Sequence, residues 1–524
     1  MDRTRDESIF TQSAVHELPD VTTGDTSEKL GNDWDRRGMV RIGKKQELRR
    51  EFQFFSITGY AMILGCSWEF ALINVVLTLS NGGKAGTIYM LLVAICGVFF
   101  VCLSMAEMAS IAPTAGGQYH WTSEFAPRKY QKILSFSVGI FCVLGWQTSL
   151  AATCFASAQQ ITALMNLSNQ SYEPSDWQTA LLSWAILLLA IFANTVLFRK
   201  LPLMEGIMTF IHVLGFFAFV IVLWTMAPRG TASSVFTEFE SNGWPTTGLA
   251  CLVGLNGPLP YLTGADSSVH LAEELKNSAW RLPRSMLVTA ITNYITSFII
   301  VVTLMFCLGD IESAVNSPTG QPYIEVVLNA THSIPATKAL AVIILILVIS
   351  CSVNGVTTTS RQLWSFARDG GLPYSSWLSQ VRPGLDVPVN AMAVSMVFTI
   401  CLTSIAIGSK VAYGIFVSLN ASGLLTSYII CIACILQRRL RGEPLPPSRF
   451  NLGKAGNAIN IVALCFLTVF WVFQFFPAAP SPAPSEMNWS CVIWTSVLVF
   501  FMTYYAFWGR HNYVGPIAYV KNDI

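Results

Sequence analysis

The chain has 524 residues, of which 53% are hydrophobic and only 12% charged, whereas a soluble domain carries about 25% charged residues. The deficit makes lipid the solvent for most of the chain. A formal net charge of +2, with no basic domain and no basic stripe interleaved with aromatics, sets aside a nucleic-acid partner.

Residues 1–50 are polar and charged and hold no apolar core of the signal-peptide type, so they read as a disordered cytoplasmic tail that stays where it is made. Beyond them apolar runs follow one another. A hydrocarbon core about 30 Å thick needs about 20 consecutive apolar residues in a helix. Runs bounded by Gly, Pro and charge predict spans at 53–79, 86–112, 132–165, 178–198, 203–227, 247–271, 285–308, 324–362, 389–407, 411–436, 457–476 and 490–508. The reading is an all-α polytopic membrane protein with about 12 transmembrane helices in a domain at 51–508, followed by a cytoplasmic tail at 509–524. Spans 3 and 8 exceed what a bilayer needs and are expected to tilt or to project into solvent. The cysteines lie mostly inside these runs and read as small core hydrophobes, including the Cys431-x-x-Cys434 of span 10.

Orientation follows from Lys and Arg, which concentrate in cytoplasmic loops. The N-terminal segment carries Arg36, Arg37, Arg41, Lys44, Lys45, Arg49 and Arg50 directly before span 1, and alternate loops carry Arg128, Lys129 and Lys132, then Arg199 and Lys200, then Lys276, Arg281 and Arg284. The opposite loops, with the outer end of span 8, hold only Lys84, Arg229, Lys338 and Lys410. Both termini are therefore expected in the cytoplasm. Glycosylation sequons at Asn166, Asn169, Asn329 and Asn488 all fall in predicted outer loops or, for Asn329, at the outer end of span 8, while Asn420-Ala-Ser422 lies inside span 10 and reads as a chance match.

Two spans carry breaks. Span 1 contains Gly65-Cys66-Ser67-Trp68-Glu69 within an apolar run, and span 6 runs Gly254-Leu-Asn256-Gly257-Pro258-Leu-Pro260-Tyr261-Leu-Thr263-Gly264-Ala265-Asp266. Each proline removes a hydrogen-bond donor and clashes one turn back, so span 6 has to break. The breaks lie five spans apart, the spacing expected if spans 1–5 and 6–10 are inverted repeats with 11 and 12 appended. Freed carbonyls suit an ammonium and freed amides a carboxylate, which together describe an amino acid or amine. Glu69 is a carboxylate in mid-span, at a cost of at least ~2.5 kcal/mol, and such residues usually mark a pathway. With Trp68 beside it, and Trp146 and Tyr261 as further aromatic faces, it offers ion pairing and cation–π attraction to an amine. His212, in span 5, is a candidate for proton coupling because its charge changes near physiological pH.

Three segments resemble the amino acid–polyamine–organocation superfamily and, within it, the fungal amino acid and choline permeases. They are Ser104-Met-Ala-Glu107-Met-Ala-Ser-Ile-Ala-Pro113-Thr-Ala-Gly116-Gly117-Gln118-Tyr119-His-Trp121 after span 2, His270-Leu-Ala-Glu273-Glu274-Leu-Lys276-Asn277 after span 6, and Ser360-Arg361-Gln-Leu-Trp364-Ser-Phe-Ala367-Arg368-Asp369-Gly370-Gly371-Leu372-Pro373 at the end of span 8. The resemblance implies a leucine-transporter-type fold of 5+5 inverted repeats plus two helices, and a gradient-driven plasma-membrane symporter. It places substrate at Gly65, Cys66 and Ser67 and at Gly264, Ala265 and Asp266. Members of the choline-like branch have a Ser-Trp-Glu segment, so Ser67-Trp68-Glu69 tilts the expectation toward cationic amines. Arg361, Arg368 and Asp369 are candidates for ion pairs that open and close with an inner gate.

The expected function is import of an amino acid or small amine such as choline or γ-aminobutyrate, with a co-transported proton or sodium ion and no cofactor or metal. A solute sensor built on the same fold is the alternative, since fold alone does not set function. No span carries paired catalytic carboxylates, a histidine cluster, a nucleophile elbow or a phosphate-binding loop, so an enzyme is not expected.

Overall fold

The computed structural model describes residues 31–516, apart from 32, 383 and 410. Helix dominates, and among the described residues extended pairing is limited to two isolated bridges, Phe52 with Leu275 and Arg382 with Val387. Among the described residues ten helices are long and apolar enough to cross a membrane. Span 9 is a shorter apolar helix, Val389–Ile405, and span 6 is broken into pieces.

Span 1 runs as Phe54–Gly65 and Ser67–Ile73 and continues from Val75 until Gly83, where φ 66° and ψ −166° reverse the chain into span 2, which ends at Ile111. A side chain at Gly83 would meet the Glu240 backbone nitrogen at 2.8 Å, so both the angle and the space require glycine there. Span 3 (Gln131–Ser168) is the central pillar and packs along span 8 (Ile334–Arg368) and span 10 (Ala412–Leu440). Its Gly145 lies against Gly423 so closely that a Cβ at Gly423 would sit 3.0 Å from the Gly145 nitrogen, the small-residue contact that lets membrane helices approach. Span 5 (Leu201–Met226) packs on spans 1, 7 (Ser278–Cys307) and 8. Its outer face is apolar and exposed at Leu203, Phe210, Phe217 and Ile221, as contact with lipid tails requires.

Three expectations need correction. The single run predicted at 324–362 is two helices, Pro322–Thr331 and Ile334–Arg368, because His332 turns left-handed at φ 48° and Ser333 caps the second helix by accepting from Ala336 N–H. The supposed free tail is ordered over the part that is described. Residues Asp33–Arg41 form a helix, Asp35 caps the start of span 7 by accepting from the Asn277 and Ser278 N–H groups at 2.8 and 3.1 Å, and Met39, Ile42, Leu48 and Phe52 are buried. Apolar residues spaced through a charged stretch anchor it. At the other end, Tyr513 is buried against Phe136 and Phe366, so the transmembrane body extends past residue 508. Residues 1–30 and 517–524 of the two predicted tails lie outside the described residues.

Candidate functional site

At the break of span 1, Cys66 adopts φ 37° and ψ 46°, a left-handed conformation. Gly65 faces Asn293 of span 7 so closely that a Cβ would stand 2.7 Å from its Nδ2. The carbonyls that the break frees are taken up by neighbours. Leu64 O accepts from the Cys351 thiol of span 8 at 3.1 Å, while Met62 O keeps its helical bond from Cys66 N–H at 3.0 Å and takes a second from the Asn293 amide at 3.4 Å. Span 6 is helical at Thr247–Gly254 and for one turn at Leu259–Leu262, then opens at Gly264, where φ is 90°. Its freed carbonyls are likewise met: Tyr261 O accepts from Ser67 Oγ at 3.0 Å and Leu262 O from the Tyr294 hydroxyl at 3.1 Å. Ser67 thus ties one break to the other. A buried backbone group left unmet costs about 1–3 kcal/mol, which is why each break requires donors from outside its own helix.

Between the breaks lies a small cavity of about 50 Å³. Span 1 contributes Gly65, Phe70 and Asn74, span 3 contributes Trp146, Ser149 and Thr153, span 6 contributes Tyr261, Thr263 and Gly264, and span 10 contributes Tyr413 and Asn420. None of the lining residues is acidic or basic. Trp146 Nε1 and Asn420 Oδ1 are buried with no hydrogen-bond partner, one a donor and the other an acceptor. Four aromatic rings, a spare donor and a spare acceptor can hold a zwitterion or an ammonium without a side-chain charge.

Of the candidates from the sequence, Gly65, Trp146, Tyr261 and Gly264 border this cavity, while Cys66, Ser67, Trp68, Glu69, Ala265 and Asp266 do not. Trp68, Glu69 and His212 meet one another behind it, at the interface of spans 1 and 5. His212 Nδ1 lies 2.6 Å from Glu69 Oε1 and 3.1 Å from Trp68 Nε1. One nitrogen cannot serve both, since it donates to the carboxylate when protonated and accepts from the indole when bare. Asp266 accepts from the Gln118 amide and the Tyr428 hydroxyl, which ties the break of span 6 to span 10.

Below the cavity, on the side of the N-terminal segment, charges close the bundle in pairs. Arg361 Nε bonds Glu274 at 2.9 Å, and Arg368 forms a two-pronged pair with Glu273 at 3.0 and 2.7 Å while lying over the Trp364 ring. Asp369 accepts from Lys44 and from the Tyr119 hydroxyl. Burial alone would raise the Glu273 carboxyl, but Arg368 beside it holds it below the usual carboxylate range. The three basic and acidic candidates of span 8 thus each have a partner on a different segment.

Sequence reasoning missed Phe70, Asn74, Ser149, Thr153, Thr263, Tyr413 and Asn420. Asn74 and Asn420 each carried a signal, an amide in an apolar run, and Asn420 also reads as a chance sequon. Among the sequons, Asn169 and Asn329 are exposed, Asn166 is buried with its amide on Tyr172 O at 2.8 Å, and the half-buried Asn488 donates to the carbonyls of Gln474 and Phe476. Among the described residues no group of three or more His, Cys, Asp or Glu side chains is placed to hold a metal ion.

A family model described as amino acid permease matches residues 52–497. The chain is 27% identical to an uncharacterized amino-acid permease of Schizosaccharomyces pombe over 96% of its own length and 93% of that protein's. It is 28% identical to a choline transporter of Saccharomyces cerevisiae over 92% of its own length and 85% of the relative's, and 26% identical to amino-acid permease 2 of Neurospora crassa over 95% and 92%. Ten membrane-length helices, two breaks facing one cavity and a family match along most of the chain lead to one statement: the chain belongs to the amino acid permease family of the amino acid–polyamine–organocation superfamily, and is a membrane transporter of amino acids or amines rather than an enzyme.

Proposed function

We propose that this transporter is a proton-coupled symporter of the plasma membrane that imports a small amine or amino acid of the size of choline or γ-aminobutyrate. The observation that carries the reading is the cavity itself, walled by Phe70, Trp146, Tyr261 and Tyr413 and free of charged side chains. An aromatic wall attracts a cationic head without the desolvation cost of a buried carboxylate, and favours ammonium or quaternary ammonium groups over anions. The named choline transporter among the relatives is in keeping with this choice.

In this reading Glu69 and His212 carry the coupling proton. Their direct contact supports a shared proton, and the position of Trp68 on the same imidazole links that proton to the helix that bears the break. Arg361, Arg368 and Asp369, with Glu274, Glu273 and Lys44, form the inner gate, and both termini are cytoplasmic. Exposed Asn169 and Asn329 are then the outer-loop positions open to glycosylation.

The test is uptake of radiolabelled choline, γ-aminobutyrate and the common amino acids into a permease-deficient host, with and without a proton uncoupler. Saturable uptake of at least one amine or amino acid that collapses with the uncoupler is the expected result. Uptake that persists unchanged contradicts proton coupling, and binding without uptake contradicts transport.

A further inference from the structure

Glu205 takes no part in the cavity, the inner gate or the Glu69–His212 pair, yet it is buried to 3% exposure near the start of span 5. Its carboxylate accepts one hydrogen bond, from Asn354 Nδ2 of span 8 at 3.0 Å. Among the described residues no Lys, Arg or His forms an ion pair with it. The same Asn354 amide also donates to Tyr60 O of span 1 at 3.3 Å, and the Tyr60 hydroxyl returns a bond to Asn354 O at 2.9 Å. Asn354 Oδ1, at 1% residue exposure, has no donor at all. An unpaired buried carboxylate beside an acceptor that lacks a donor is short of one proton. A protonated carboxyl group and a primary amide satisfy each other in both directions, with O–H donating to Oδ1 and Nδ2–H donating to the carbonyl oxygen.

We propose that Glu205 is a second proton-binding site, a carboxylic acid held between spans 1 and 8 that releases its proton when those spans separate. The O–H bond breaks, the electron pair stays on the carboxylate, and the proton passes to water entering from the inner side. Glu205 and His212 are seven residues apart on one helix, two turns and roughly 10 Å along the axis, so both sites lie on the same face of span 5. Span 1 passes both of them, at Gly59 and Tyr60 and again at Trp68 and Glu69. Among the described residues, the ionisable groups of span 1 that feel the Glu205 charge are Tyr60 and Cys66. Span 8 adds Arg361, which is paired with Glu274, and span 7 carries Arg281 and Arg284 toward its inner end, neither of them in an ion pair with Glu205. This assignment deepens the proton-coupled reading and rests on it for its role in transport.

The experiment is a pH-difference infrared spectrum of the full-length protein reconstituted in lipid, read at the carbonyl stretch of protonated carboxyl groups, a signal that needs no transported solute. Wild-type protein is expected to show such a band; E205Q loses it, H212A keeps it, and Asn354→Ala shifts it because the amide partner is gone. If E205Q does not fold, E205D replaces it and is expected to keep a displaced band. A wild-type spectrum without the band, a band indifferent to E205Q, or a carboxylate signal that answers to sodium instead of pH overturns the proposal. The reading of the whole transporter fails separately, through uptake of radiolabelled choline or γ-aminobutyrate that ignores a proton gradient in wild-type proteoliposomes.

Discussion

The central cavity and the inner seal are built from opposite materials. The cavity has no charged lining and offers rings, hydroxyls and two spare polar atoms, whereas the proposed inner seal is built from the pairs Arg361–Glu274, Arg368–Glu273 and Lys44–Asp369. A site that must release its ligand is poorly served by a buried charge, because removing a partner from such a pair costs about 3–5 kcal/mol. A seal has the opposite need. It should be firm while closed, and its charges should be solvated once open, when water returns the desolvation cost. In the proposed reading, the distribution of charge therefore separates holding solute from holding the gate.

The largest effect is expected where that separation is broken at the seal. Arg368→Ala leaves Glu273 buried without its cation, and should disfavour the closed inner side by about 3–5 kcal/mol. Thiol-reactive probes applied from the inner side should then label a cysteine placed at Thr263, which wild-type closure protects. Unchanged labelling would mean that the pair does not hold the gate. At the cavity, W146A removes one ring and the spare indole donor, so KM should rise by about 30-fold for a loss of ~2 kcal/mol, with W146F keeping much of the affinity. Ser67→Ala cuts the bond between the breaks, a neutral hydrogen bond of about 1 kcal/mol, and should lower the maximal rate about five-fold more than it alters KM. The smallest effect concerns pH. A carboxyl group held below its ordinary value stabilises the closed seal at every pH above that ordinary value, about 4.3, and loses the contribution only as pH falls through the depressed one. Inner-side labelling of the Thr263→Cys protein, divided at each pH by that of a fully exposed cysteine to remove the thiol's own titration, should therefore be flat between about pH 5 and 8, and a rise toward pH 5 would contradict the Arg368–Glu273 assignment.

Much of the frame was legible because hydropathy and backbone chemistry are local. Pro258 and Pro260 announce the break of span 6 by themselves, and Gly65 next to two small polar residues announces that of span 1. The run across residues 324–362 misled because the apolar stretches on either side were joined across Thr331-His332-Ser333, a polar interruption followed by Pro335, where the left-handed His332 ends one helix and the cap on Ser333 begins the next. Glu69 and His212 each stood out as ionisable groups in lipid, but their contact joins residues 143 positions apart and no spacing rule reaches that far. Read singly, Glu69 pointed to substrate; beside His212 it points to protons. Span 10 gave least, since Tyr413 sits where a membrane-interface aromatic is ordinary and Asn420 mimicked a sequon. The N-terminal segment was judged by its charge, and the few apolar residues that dock it, Leu48 above all, were outweighed in the count.

The central claim is that solute rests in the uncharged cavity while Glu69 lies outside it. Measuring the apparent affinity of the same transported amine or amino acid in wild-type, W146A and E69Q proteins, by uptake and by counterflow without a proton gradient, tests it most directly. The account predicts that W146A weakens affinity in both assays, and that E69Q loses concentrative uptake while its counterflow affinity stays within about two-fold of wild type, a difference under about 0.4 kcal/mol. Loss of counterflow affinity in E69Q with W146A unaffected would move the solute to Glu69 and contradict the account.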